Sequence, residues 1–209
     1  MTVATGFGGL VLAGGLSRRM GGGDKSMRSL GGIPMIARVI DRFAPQVGAL
    51  AISANTSPET FAAYGVPVLP DIVAGHAGPL AGVVTGMAWL AAARAGSTHL
   101  ATVATDAPFL PSDLVARLAE ASAPERIVLA RSASGRHPVF GLWPVALRED
   151  LRHWLATSDT MKVLAWVQRH DFVWCDFEPE RPGAPDPFFN ANTPEELAEA
   201  EALLHGAGR

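Results

Sequence analysis

The chain has 209 residues, a formal net charge of −3, and 48% hydrophobic against 18% charged residues. That length fits one domain, or at most two small ones, and the composition excludes a disordered, collagenous or coiled-coil chain. With 17 Lys and Arg against 20 Asp and Glu, nothing calls for nucleic acid, and a single Tyr leaves no base-stacking platform.

One cysteine, Cys175, rules out an internal disulfide and a multi-thiolate zinc site. Its neighbours Val173, Trp174 and Phe177 predict a strand and a buried thiol. Residues 1–16 lack the positive start of a signal peptide. The stretch free of Asp, Glu, Lys and Arg, residues 72–93, is broken by Gly75, His76, Gly78 and Pro79. No membrane span is expected from it, and the expected compartment is the cytoplasm.

In chain order, residues 8–13 form an apolar run that stops at Gly14 and Gly15, which predicts a buried strand. Residues 14–30 are a loop rich in Gly and basic side chains. Pro34 starts an amphipathic helix with Ile33, Ile36, Val39, Ile40 and Phe43 on one face. A strand over 49–53, a short helix over 58–64 and a strand over 66–69 follow, ending at Pro70-Asp71. Residues 80–93 read as a helix apolar nearly all round, hence mostly buried. A strand over 99–104 ends at Thr105-Asp106-Ala107-Pro108, and a helix over 111–121 carries Ser112 and Asp113 in its first turn.

After a strand at 127–130 the rhythm changes. A strand over 137–142, helices over 147–156 and 161–170, and a last strand over 172–177 are expected. A loop with four prolines, 179–187, leads to a final helix with Thr193 as N-cap and Pro194 at its first position. Strand and helix alternate every ~20 to 30 residues, the signature of βαβ units. The expectation is one three-layer α/β domain over residues 1–209, a mostly parallel, Rossmann-like sheet with helices on both faces.

Several chemistries lack their fingerprints. HExxH and CxxC are absent, and the six histidines are scattered. Asp24-Lys25-Ser26 mimics the end of a P-loop, but Arg19 and Asp24 stand where glycines are required. No GxGxxG follows the first strand.

What is present lies where ligands sit in such folds, at the carboxyl ends of strands. The first loop reads LAGGLSRRMGGGDK from Leu12 to Lys25. Its glycines let backbone N–H groups approach phosphate oxygens. Arg18, Arg19, Lys25 and Arg28 set four cations against one acid, Asp24. Asp106 follows the fourth strand, and a carboxylate facing a cationic glycine loop suits a Mg²⁺–triphosphate. Gly78 to Gly82 open the buried helix, whose N–H groups suit a base or an anion. Asn190 and Asn192 precede the last helix, as caps or as ligands of a metal or phosphate.

Taken as an ordered set, these motifs resemble the molybdenum cofactor guanylyltransferases, the molybdopterin-guanine dinucleotide synthases. Their wider group is the sugar-phosphate nucleotidyltransferases. The likeness runs through Leu12 to Lys25, Asp71, Gly78 to Gly82, Asp106, His137-Pro138 and 190–197. It implies a nucleotide-diphospho-sugar transferase-like fold and a Mg²⁺-dependent reaction. The terminal phosphate of molybdopterin attacks the α-phosphorus of GTP, and pyrophosphate leaves. By position, it gives Leu12, Ala13, Gly14, Gly15, Lys25, Ser53 and Asp71 to the nucleotide, and Asp106 to the nucleotide and Mg²⁺. Arg19, Lys25 and Asp106 become the catalytic set. Gly78, Gly82, Lys162, Asn190 and Asn192 fall to the substrate. Its implied partners are GTP and molybdopterin, with other molybdenum-cofactor proteins and target molybdoenzymes beyond them. A monomer is expected.

The chain departs from the family pattern in three places. Ser53-Ala54-Asn55 stands where N-A-N is frequent, so the contact at Ser53 is shorter. Asp106 lies in A-T-D-A-P in place of P-C-D-x-P. Lys162 replaces a common Arg and lacks its bidentate fork. Two alternatives stay open: a molybdopterin cytidylyltransferase using CTP, whose relatives carry LAAG, and a non-catalytic nucleotide-binding module of the same fold.

Overall fold

The computed structural model of the chain describes residues 4–14, 27–73, 78–94 and 96–206. The first strand, β1 (Ala4–Leu12), shows why so glycine-rich a run is central to a sheet. A Cβ built at Gly8 would stand 2.4 Å from a methyl of Leu90, and one at Gly9 would stand 2.9 Å from the Phe43 ring. The missing side chains let helices close down on both faces. Alternation then sends Leu10 to one buried cluster and Val11 to the other.

The remaining elements, in order, are β2 (Ser29–Leu30), β3 (Ile33–Pro34), α1 (Met35–Phe43), β4 (Val47–Ser53), β5 (Val68–Leu69), α2 (Pro79–Ala93) and β6 (His99–Ala104). They continue with α3 (Leu114–Glu120), β7 (Ile127–Ser132), β8 (Gly135–Pro144), α4 (Arg148–Thr157), α5 (Val163–Val167), β9 (Phe172–Asp176) and α6 (Pro194–Gly206). Seven strands form one sheet in the order β5-β4-β1-β6-β8-β7-β9. Among the described strands of that sheet, only β8 runs antiparallel, to β6 and to β7, which accounts for the change of rhythm after residue 130. Residues of α1 and α3 line one face, around Val39, Phe43, Leu114 and Leu118. Residues of α2, α4 and α5 line the other, around Val84, Met87, Leu151 and Trp166. This is the expected mostly parallel, three-layer architecture.

Local departures have physical causes. The expected 111–121 helix starts at Leu114, so Ser112 and Asp113 precede it. The buried Gln46 ties its start instead, accepting from Val115 N–H at 2.9 Å and donating to the Pro111 carbonyl at 2.9 Å. The expected 161–170 helix shrinks to Val163–Val167. Ahead of it, Ser158 and Thr160 hydroxyls accept the N–H groups of Thr160 and Lys162, an alternative to helical bonding. Residues 58–64 form a 3-10 segment that ends at Gly65, whose φ of 64° is left-handed. The final helix starts as expected. Thr193 Oγ1 accepts the Glu196 N–H at 3.2 Å while Glu196 Oε2 accepts the Thr193 N–H at 3.0 Å, a reciprocal capping box. Cys175 is half-buried on β9, and burial pushes its thiol pKa up. No helix among the described residues is long and apolar enough to cross a membrane.

Candidate active site

The chain leaves β4 and β5 on one side of β1 and then crosses to β6 on the other. The strand order therefore reverses between β1 and β6, and in open parallel sheets the crevice beyond the carboxyl ends of such strands is where ligands sit. Leu12 to Gly14 form one lip and Thr105-Asp106 the other. Ala13 N–H is held by the Ser53 carbonyl at 2.9 Å, which fixes how the chain leaves β1. Gly14 is exposed, its φ lies outside the left-handed region, and no described atom lies within 4 Å of a Cβ built there. Among the described residues, nothing fills the space beside it. Gly15, Arg19 and Lys25, expected to hold and activate the triphosphate, lie outside the described residues.

Asp106 is half-buried on the far lip, and its carbonyl accepts the Ala191 N–H at 3.1 Å. That bond brings Asn190 and Asn192, 84 and 86 positions on in sequence, to the same edge. Asn190 Oδ1 is buried and has no hydrogen-bond partner among the described residues. Such an oxygen is costly to leave bare, by about 1–3 kcal/mol, and is a suitable hard ligand for a cation. Asn192 is exposed, and its N–H donates to Glu196 Oε2 at 2.6 Å. Among the described residues no three His, Cys, Asp or Glu side chains cluster as a metal cage. One carboxylate and one amide oxygen at this sheet edge suit Mg²⁺, which binds through one or two carboxylates plus substrate phosphates.

A clasp holds this second lip. Ser132 Oγ donates to Asp186 Oδ2 at 2.7 Å and lies 2.7 Å from His137 Nε2, while Asp186 Oδ1 accepts the Phe188 N–H at 2.8 Å. The His137 ring packs 4.6 Å from that of Phe188. The β7–β8 hairpin thereby ties down the chain at Asp186 and Phe188, four and two residues before Asn190. Burial lowers the His137 pKa against the opposing charge of Asp186. Sequence reading noted His137 but not Ser132 or Asp186, whose spacing of 54 residues carries no local signal.

On the near side, Asp71 follows β5 and bonds twice with Asn55, through Asn55 Nδ2 to Asp71 Oδ2 at 2.8 Å and Asp71 N–H to Asn55 Oδ1 at 2.9 Å. Ser53 is only 5% exposed. It is covered by Gly82, where a Cβ would stand 2.8 Å from Ser53 Oγ and 2.6 Å from Leu12 Cδ2. Gly82 is buried too, and its lack of a side chain lets α2 close onto the ends of β1 and β4. Gly78 caps α2, and a Cβ there would stand 3.6 Å from Met161 Cβ. That contact brings exposed Lys162 to the same helix end. The expected substrate set thus divides, with Gly78, Gly82 and Lys162 at the α2 end and Asn190 and Asn192 beside Asp106.

The MobA-like NTP transferase domain model matches residues 9–172, a span that holds the end of β1, Asp71, α2 and Asp106. The chain belongs to the MobA-like NTP transferase family. Within that family it is 52% identical over 205 residues to the molybdenum cofactor guanylyltransferase of Bradyrhizobium sp. (strain ORS 278), covering 97% of this chain and 95% of that protein. It is 49% identical to the enzyme of the same name from Mesorhizobium japonicum, covering 94% and 95%. A crystal structure of molybdopterin-guanine dinucleotide biosynthesis protein A from Archaeoglobus fulgidus superposes with a TM-score of 0.76 at 20% identity, over 95% of this chain and 99% of that one. A 4-diphosphocytidyl-2C-methyl-D-erythritol synthase from Anaerococcus prevotii superposes at 0.70 with 10% identity, over 95% and 96%. The fold is therefore common to proteins named for guanine and for cytidine nucleotides.

Proposed function

We propose that the chain is a molybdenum cofactor guanylyltransferase. It transfers GMP from GTP to the terminal phosphate of molybdopterin, giving the guanine dinucleotide cofactor and pyrophosphate. The observation that carries this reading is identity of 44–52% to a series of enzymes of that name along nearly the whole chain. That identity favours GTP over the cytidine alternative.

In this reading the nucleotide lies across the crevice, with its base in the open space at Gly14 and its ribose or base edge toward Asp71. Lys25 and Arg19 are assigned to the phosphates. A molybdopterin phosphate oxygen forms the new bond to the α-phosphorus as the bond to the β-phosphate oxygen breaks. The attacking oxygen is already anionic, so no protein nucleophile is required and alignment does most of the work. Lys25 and Arg19 stabilise charge on the transferring phosphoryl group and the departing pyrophosphate. Asp106 and Asn190 would hold Mg²⁺. That ion, when bound, neutralises triphosphate charge and orients its oxygens. Gly78 and Lys162 at the α2 end, and Asn192, are assigned to the molybdopterin side.

Pyrophosphate release from GTP, molybdopterin and Mg²⁺ tests the proposal, with CTP and EDTA arms. Release should need both substrates, favour GTP, stop with EDTA and return with added Mg²⁺. Equal rates with CTP would overturn the base assignment. Full activity in EDTA would overturn the metal assignment.

A further inference from the structure

Asp71 is pinned to its surroundings in two distinct ways. Its backbone is fixed from both sides. Ala54 N–H bonds to the Leu69 carbonyl at 3.0 Å, and Ile72 N–H bonds to Thr85 Oγ1 at 3.1 Å. Thr85 is itself buried in α2 and donates to the Ala81 carbonyl at 2.8 Å. The carboxylate, by contrast, takes its orientation among the described residues from the 2.8 Å bond that Asn55 Nδ2 donates to Oδ2. The same Asn55 amide accepts the Asp71 N–H through Oδ1 at 2.9 Å. A backbone N–H can only donate and a carboxylate accepts, so these two partners also fix which way the amide faces.

We infer that Asn55 is the positioning residue for Asp71, and that it presets the carboxylate as an acceptor for the nucleotide. The inference rests on the assignment of Asp71 to the nucleotide made above. Position 55 needs a donor and an acceptor side by side on one short planar group. Aspartate would set two carboxylates against each other, and alanine would leave the Asp71 side chain free to rotate. Because the Ala54 and Thr85 bonds hold the backbone without Asn55, its loss falls on ligand binding and not on the fold. Ser53, buried under Gly82, cannot take over this task from within the same strand end.

A double-mutant cycle on the full chain tests it, with KM for GTP and kcat measured for Asn55→Ala, Asp71→Ala and the pair. Asn55→Ala should raise KM about 3- to 10-fold, the scale of one net hydrogen bond, with kcat within about 2-fold. Asn55→Asp, nearly the same shape, should raise KM further. On the Asp71→Ala background, Asn55→Ala should add nothing. Thermal unfolding of each variant reports the fold separately. If Asn55→Ala keeps its full effect without Asp71, the residue does not act through Asp71 and the inference is overturned. If Asn55→Ala leaves KM unchanged while Asp71→Ala raises it, the inference alone is overturned. If Asp71→Ala itself leaves KM unchanged, the assignment of Asp71 to the nucleotide fails, and the inference falls with it.

Discussion

Replacing Gly14 by alanine separates a ligand role from a backbone role at the mouth of β1. Two structural reasons for a glycine are absent there. Its φ is outside the left-handed region, and a Cβ would meet no described atom within 4 Å. An alanine at a compatible φ stabilises a chain by roughly 0.4–1 kcal/mol, through the entropy of the unfolded state. The melting temperature of Gly14→Ala should therefore hold or rise. If the guanine lies in that open space, the methyl meets the base. A misfit of this size is worth about 1–3 kcal/mol, or roughly 10- to 200-fold in kcat/KM for GTP. Competition between GTP and CTP in one reaction reads the effect directly, because both see the same enzyme. GTP use should fall while CTP use falls less or rises. Equal losses for the two nucleotides, or an unaltered preference at full activity, would refute the reasoning.

Lys25→Ala should fold normally and lose about 10²-fold or more in turnover, the scale for one electrostatic stabiliser; unchanged turnover in a folded variant would remove its phosphate role. Asp106→Asn keeps the shape of a ligand but removes its charge, so a Mg²⁺ titration of activity should shift to much higher concentrations, and wild-type activity at low Mg²⁺ would reduce Asp106 to a turn residue. His99 and His137 are both held below the ordinary histidine value of 6.5, chiefly by burial. Above that value both are neutral in the folded and unfolded chain; below it the unfolded chain takes up protons first, so stability falls as pH drops. Urea midpoints at about pH 7.5 and 5.5 should show this, and His99→Gln with His137→Gln should flatten the slope; a midpoint rising with acid contradicts the sign.

The sheet was legible because β1, β4, β6 and β7 are short apolar runs closed by turn residues, and their order along the chain alternates with helices. Helix ends were less so. The start of α3 depends on Gln46, 69 positions from the N–H it binds, while the local pattern placed the start at residue 111 with Ser112 and Asp113 in the first turn. The candidate site divided in the same manner. Asp71, Asp106 and Gly14 were visible because each directly follows a strand. Ser53 and Gly82 lie in the right places, but their close packing is a property of two elements meeting, which no single motif contains. Asn55 and Asp186 went unassigned because their meaning rests on partners 16 and 54 residues away.

The arrangement proposed for the site is tested most directly by a crystal structure with GTP and Mg²⁺ bound. Guanine should lie against Gly14 with Asp71 at its edge or ribose, and the cation should touch an Asp106 carboxylate oxygen and Asn190 Oδ1, giving that buried oxygen its partner. A nucleotide seated away from the crevice between β1 and β6, or a cation bound without Asp106, would contradict it.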